Sequence, residues 1–306
     1  MKNLEVFQGK DKLNSGKNYF EGWYFKHSKE NLAISFIPGI NIKNGKKYAF
    51  IQVVTKYNSY YINYDFDTFQ YSDTPFYIQI GNSLFSNNKI VLDINHEIKI
   101  TGTLYYDNHQ KIKQTSFAPN IMGPFAHLKF MECNHAIISM KHHIMGNLTI
   151  NGLTFSFNNG QGYIEKDWGT SFPKSYIWCQ ANNFQNDSCS IFFSLADIPF
   201  KMLHFKGFIC SLLLDGKEYR FATYNGSKIK GLKITETEVA LLIQKGSCSL
   251  SINCSKTNGQ TLSAPIKGGM GKNIIETIDS TMDIILKEGS ETIFSGTSKN
   301  AGLEIV

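Results

Sequence analysis

Residues 147–157 read NLTINGLTFSF, and the reading of this stretch decides the fold. Asn151 and Gly152 can both take the positive φ angles that a two-residue type I′ turn needs. Leu148 and Ile150 lead into the pair, and Leu153, Phe155 and Phe157 lead out of it. Apolar residues at every second position on either side of Asn-Gly describe an antiparallel hairpin. The same punctuation recurs as Asn-Gly at 44–45, 159–160, 225–226 and 258–259, and as Asp-Gly at 215–216. Between these turns lie short runs rich in β-branched and aromatic residues, such as LAISFIPGI, YAFIQVVT and SCSIFFSLADI. No segment shows a long capped helical stripe. NIIETIDSTMDIILK (273–287) has the length of a helix and is read as a strand. The class is all-β, in barrels or sandwiches.

At 306 residues the chain suffices for one large domain or two of ordinary size. Hydrophobic residues at 42% and charged residues at 18% describe a packed soluble protein rather than a disordered one. Aromatics at 13% suit β-structure and also an apolar ligand cavity. The net charge of +6 raises the question of nucleic acid, and residue type answers it. Arg220 is the one arginine, so 30 of the 31 basic residues are lysines, scattered through turns. Guanine edges and phosphates are read chiefly by arginine, so no nucleic-acid partner is expected.

Residues 1–17 lack the apolar core of a secretory leader, and FICSLLL (208–214) is far too short to span a bilayer. Six cysteines without C-x-x-C or framework spacing point to reduced thiols and a cytoplasmic location. A lipid substrate would still bring the protein to a membrane surface. Nothing in the sequence points to a protein partner.

A weak internal echo is present. NYFEGWYFKHSKENLAISFI (18–37) and KSYIWCQANNFQNDSCSIFFSL (174–195) each place a tryptophan among aromatics, then a polar gap, then an apolar strand. Two tandem β-domains, roughly 1–160 and 161–306, would explain it. The stretch GYIEKDWGTSFP (162–173) would then lie near their junction. Its Glu165, Lys166 and Asp167 sit between Tyr163 and Trp168, an unusual pairing of charge with aromatics.

The blocks YFEGWYFK (19–26), MGPF (122–125), MECNHAIISMKHHIMGNLTINGLTFSF (131–157), GYIEKDWGTSFPKSYIWCQANNF (162–184) and SAPIKGGM (263–270) occur in this order along the chain. Together they resemble the tocopherol cyclase family and its bacterial relatives. The resemblance implies a pair of lipocalin-like β-barrel or sandwich domains and acid-assisted ring closure of a prenylated phenol or quinol. It implies no metal and no organic cofactor. The Lys and Asn bias suits an AT-rich bacterial gene.

Such chemistry needs an acid able to protonate an alkene, a dry cavity, and aromatic faces to stabilise a carbocation. On a strand, Tyr163, Glu165 and Asp167 share one face, and Ile164, Lys166 and Trp168 the other. Two carboxylates on one face raise one pKa. Asp167 is therefore the first candidate for the acid and Glu165 the second. Glu21, beside Trp23 and Tyr24, is a further candidate. The expected cavity is apolar, of roughly 300 Å³ or more, and lined by several of Trp23, Tyr24, Tyr163, Trp168, Tyr176 and Trp178. The charged cluster reads equally as an ion-pair brace, and YFEGWYF as a barrel-opening strand plugged by its tryptophan. Cys133, His135, His142 and His143 lie close together in sequence without a zinc spacing, so no metal is expected. Alternation places Ala136, Ile138, Met140, His142 and Ile144 on one interior face, makes His142 a proton partner, and turns His135 and His143 away. A lipocalin-type carrier of an apolar small molecule, without catalysis, needs the same cavity but no acid.

Overall fold

Three of the predicted turns close two-residue hairpins in which both residues have positive φ. They are Asn44–Gly45 (51° and 77°), Asn151–Gly152 (49° and 86°) and Asp215–Gly216 (48° and 77°). In the computed structural model, which describes residues 4–128, 131–200 and 203–306, these hairpins belong to two antiparallel sheets. Among the described residues the first sheet has 12 strands and the second 10.

The first sheet comprises β1–β4 (Tyr19–Lys29, Leu32–Lys43, Lys46–Thr55, Ser59–Tyr64), β5–β8 (Phe69–Asp73, Phe76–Ile80, Ser83–Ser86, Lys89–Asn95) and β9–β12 (Lys99–Gln110, Cys133–Ile150, Leu153–Ser156, Gly160–Gly169). The second comprises β13–β16 (Tyr176–Ala181, Cys189–Phe200, Leu203–Leu214, Lys217–Ala222), β17–β19 (Lys228–Ile234, Glu238–Lys245, Cys248–Ser255) and β20–β22 (Gln260–Ile266, Gly269–Glu288, Glu291–Ile305). Residues 273–287 lie wholly inside β21, as a strand.

The strand orders are β4-β3-β2-β1-β12-β10-β9-β8-β7-β6-β5, with β11 on β10, and β16-β15-β14-β13-β22-β21-β19-β18-β17, with β20 on β21. Both follow one plan. Three strands meander outward from the first, and the first strand's other edge takes the last strand of the same sheet. The segments 18–37 and 174–195 hold corresponding places in the two orders, as β1–β2 and β13–β14. β12 pairs with β1 and β10, so the chain changes sheets between Gly169 and Tyr176. A division at 160/161 would cut β12 from the sheet it completes.

Each sheet curls around its own core. In the first, Ile51 and Val53 of β3 share a buried cluster with Ile78 and Ile80 of β6, at the far side of the strand order. In the second, Ile191 and Phe193 of β14 share one with Ile252 and Ile284. A third cluster lies between the sheets. It joins Tyr24, Val54, Ile137 and Tyr163 of the first to Tyr176, Trp178, Phe192 and Ile274 of the second. Burying each such side chain stabilises the contact by roughly 1.5–3 kcal/mol. Polar fastening accompanies it. The Gln52 amide donates to Ser263 O at 3.0 Å and accepts from Ser263 N at 2.9 Å, as a neighbouring strand would. The six cysteines are free thiols. Among the described residues no helix is long and apolar enough to cross a membrane.

Candidate active site

β12 is the strand on which both readings of GYIEKDWG depend, and its alternation sends the two sets of side chains to different places. Lys166 points into the first sheet's core. Its Nζ lies 2.6 Å from Glu21 Oε1, with both side chains fully buried. It also donates to Val6 O at 2.5 Å and Leu4 O at 3.1 Å, and lies 4.9 Å and 5.0 Å from the ring centres of Trp23 and Trp168. Glu21 in turn accepts from Gln8 N, Gly9 N and the Tyr19 hydroxyl. This ion pair staples the N-terminal segment under the sheet. None of Glu21, Trp23 and Trp168 lines the cavity between the sheets.

Glu165 and Asp167 point the other way, toward the second sheet. Register aligns them with their neighbours: Gly22, Asp167 and His135 form one row across β1, β12 and β10, and Tyr24, Glu165 and Ile137 form the next. His135 does turn away from the first sheet's interior, as alternation predicts, and that direction is the cavity. His142 faces inward instead. It packs 4.4 Å from the Tyr106 ring and 4.9 Å from the His109 ring, remote from the carboxylates. Two irregularities in β10, between Ile137 and Ser139 and between Ser139 and His142, shift the alternation. Met140 consequently joins the interface cluster while Ile138 and Ile144 stay inside.

The cavity has a volume of about 200 Å³, opens to solvent, and is smaller than expected. Its lining is mostly apolar. Phe20, Phe50, Phe172, Met122, Ile274 and Leu262 contribute, together with Tyr24, Tyr176 and Trp178 of the predicted aromatics. Tyr163 is fully buried, does not line the cavity, and donates its hydroxyl to Glu165. Gly22 presents no side chain to the floor, where an added Cβ would come no nearer than 3.8 Å to any neighbour.

Into this space project His135, Glu165 and Asp167. The His135 Nδ1 lies 2.8 Å from Asp167 Oδ1, which fixes the tautomer of the neutral ring with its proton on Nδ1. Nε2 makes no hydrogen bond among the described residues and lies 3.7 Å from Glu165 Oε2. Phe192 stacks on the ring at 4.8 Å and holds its plane. Glu165 Oε2 accepts from the Tyr163 hydroxyl at 2.5 Å and from Trp178 Nε1 at 3.1 Å. Burial opposes the charged imidazolium, yet Asp167 and then Glu165 outweigh it and lift His135 to about 9. Burial is the largest influence on Glu165 and raises it to about 7; His135 pulls it down, and Asp167 pushes it up. The Cys133 thiol, 3.9 Å from Asp167 Oδ1, is held protonated, first by burial and then by the carboxylates.

Ligand atoms of His135, Glu165 and Asp167 lie within 4.8 Å of one another, a spacing that could accept a divalent ion. The short Nδ1–Asp167 bond satisfies that pair without one. Sequence reasoning missed His135 as a site residue. Its signal lies in the pairing of β10 with β12, which sets it beside Asp167.

Among solved structures, CghA with Sch210972 is similar to this chain at a TM-score of 0.58 and 10% identity, over 94% of this chain and 88% of that one. A second CghA structure gives 0.56 at 10% identity over the same shares. Kievitone hydratase from Nectria haematococca gives 0.48 at 11% identity, over 99% and 94%. At such identity the likeness to CghA is one of fold: curled antiparallel sheets. No curated protein sequence matches. The family model described as tocopherol cyclase-like matches residues 92–306, which include both β10 and β12 and leave the YFEGWYFK block outside the match. With more than two-thirds of its length so matched, and with the His135–Glu165–Asp167 cluster inside the match, the chain belongs to the tocopherol cyclase-like family.

Proposed function

We propose that the cavity between the two lipocalin-like sheets is the active site of an acid-catalysed cyclase acting on a prenylated phenol or quinol, or a related isoprenoid. One observation carries this reading: a carboxyl raised to about 7 stands in a mostly apolar cavity beside a histidine that a second carboxylate holds charged. A purely structural ion pair would be satisfied by its partners and closed to ligand. This cluster lines open space.

The geometry favours Glu165 as the proton donor and Asp167 as its organiser, the reverse of the order expected from sequence. Asp167 is engaged by His135 at 2.8 Å and orients that ring. Glu165 receives both of its hydrogen bonds on Oε2, so Oε1 is the oxygen that can carry a proton toward a substrate. Protonation of the alkene by Glu165 forms a C–H bond and a tertiary cation, which the faces of Tyr24 and Trp178 stabilise by on the order of 1–2 kcal/mol each. Attack of the phenol oxygen closes the ring. Its proton returns to the Glu165 carboxylate, and the site is restored without an external reactant.

The carrier reading differs in one measurable respect. Incubation with a prenylated hydroquinone, followed by mass spectrometry and chromatography of the extract, tests both. Conversion to an isomer of unchanged mass and altered retention supports the cyclase. Recovery of bound but unaltered hydroquinone supports the carrier and rejects the cyclase for this substrate class. Extraction of apolar molecules co-purified with the protein identifies the ligand class directly.

A further inference from the structure

The second sheet's wall of the cavity carries carboxyls of its own. Trp178, Glu304 and Glu276 are register partners in one row across β13, β22 and β21. Each interface glutamate receives a tyrosine hydroxyl: Tyr163 on Glu165 at 2.5 Å, Tyr24 on Glu276 at 2.5 Å, and Tyr176 on Glu304 at 2.6 Å. The three pairs are not equivalent. Glu165 belongs to the acid cluster. Glu276 is fully buried, and only its tyrosine reaches the cavity. Tyr176 and Glu304 both line it, Glu304 being half-buried there, and the proton-transfer steps use neither.

A few placed polar groups in an apolar cavity fix which way a ligand lies. Tyr176 occupies Glu304 Oε2, which leaves Oε1 for a ligand. Burial, followed by the neighbouring Glu276, pushes Glu304 well above the usual carboxylate range, while the Tyr176 bond acts against this. A carboxyl oxygen left facing the cavity accepts a hydrogen bond whether or not its partner oxygen carries a proton. That oxygen matches a ligand hydroxyl, which can donate to it.

We infer that Glu304, seated by Tyr176, binds a free ring hydroxyl of the substrate and so selects hydroxylated aromatic rings over their alkylated counterparts. The inference rests on the cavity being the substrate site, and it adds the element that orients the ring against the acid. A free hydroxyl can donate to Glu304 Oε1. A methyl ether can only accept, and it adds bulk.

The test uses two probes, a prenylated hydroquinone and its dimethyl ether, with binding measured by quenching of tryptophan fluorescence at pH 7. The wild type should prefer the hydroquinone by roughly ten- to a hundredfold. Glu304→Gln, which keeps a donor and an acceptor, should retain most of that preference; Glu304→Leu should abolish it. Tyr176→Phe provides a second variant should Glu304→Leu melt early, and it should reduce the preference. A preference unchanged in Glu304→Leu with a native melt overturns the inference, as does equal binding of both probes by the wild type. Turnover of Glu165→Gln, assayed alongside, separates the two ideas. Loss of turnover with no effect of Glu304→Leu leaves the acid standing and the hydroxyl site refuted. Loss of preference in Glu304→Leu with Glu165→Gln still active does the opposite.

Discussion

Replacing Glu165 with glutamine removes a transferable proton and almost nothing else. The side chain keeps its length, and its amide oxygen can accept from Tyr163 and Trp178 as Oε2 does now. Turnover should fall by about 10²- to 10⁴-fold, the usual contribution of a general acid. Stability should move in the other direction. The folded carboxyl is raised from 4.5 to about 7, so its stabilising share is complete below pH 4.5 and is lost as pH rises through 7. At about 1.36 kcal/mol per pH unit, the loss between pH 5 and pH 8 is roughly 2–3 kcal/mol. An unfolding entropy of about 2.1 cal/mol/K per residue converts this into about 4 °C for a chain of this size. Glutamine does not titrate, so the drop in Tm between pH 5 and pH 8 should be smaller in the variant by that amount. The assays are product formation from a prenylated hydroquinone and thermal melts at both pH values. In the wild type, turnover should be half-maximal near pH 7 and then decline about tenfold per unit, as the protonated fraction does. Turnover of Glu165→Gln within about threefold of wild type, with a sharply lowered Tm, would refute the assignment and make the cluster a brace.

Further outcomes follow from neighbouring groups. Lys166→Met should cost roughly 3–5 kcal/mol by removing the buried ion-pair partner of Glu21, and Lys166→Met with Glu21→Gln should recover part of it, as read by urea titration. An NMR titration of the His135 ring should give a pKa near 9, and Asp167→Asn should lower it by about a unit or more, because the anion that holds the charge is gone. His27 is held neutral, its pKa lowered to about 3 by burial, so its share of stability is present above pH 6.5 and lost as pH falls toward 3. His27→Gln, which keeps the bond to the Tyr106 hydroxyl, should therefore lose less stability than the wild type between pH 7 and pH 4 in thermal melts. Dialysis against a chelator should leave turnover within about twofold of the untreated protein, since hydrogen bonding already satisfies the His135–Asp167 pair.

The hairpins could be read from sequence because their determinants are local. Asn151 and Gly152 need no partner elsewhere to favour their turn, and the alternation beside them is set by the pleat. The faces of β12 were readable for the same reason: Lys166 and Trp168 went one way, Glu165 and Asp167 the other. What could not be read was which face meets what. Trp23 and Trp178 look alike in their sequence blocks, yet Trp23 fills the first sheet's core and Trp178 the interface, a distinction set by how each sheet curls. Glu21 looks catalytic beside its aromatics until Lys166, far along the chain, is seen to neutralise it. His135 was hidden by pairing at a distance, since only the register of β10 on β12 sets it opposite Asp167. Met140 was misplaced because local sequence does not announce the β10 irregularities.

The position of β22 has a consequence for how the protein is made. β22 is the last strand of the second sheet to leave the ribosome, yet it fits into the middle of that sheet, between β13 and β21. Until it arrives, both neighbours present unpaired edges on the nascent chain, and such edges recruit other chains. Closing them requires β22 to find β13 across more than a hundred intervening residues, a slow search by contact-order arguments. The chain segment that carries Glu304 thus finishes the sheet and one wall of the cavity in the same step. Truncation within 291–305 should yield an insoluble protein split at its centre, and chaperone dependence during synthesis should centre on this last insertion.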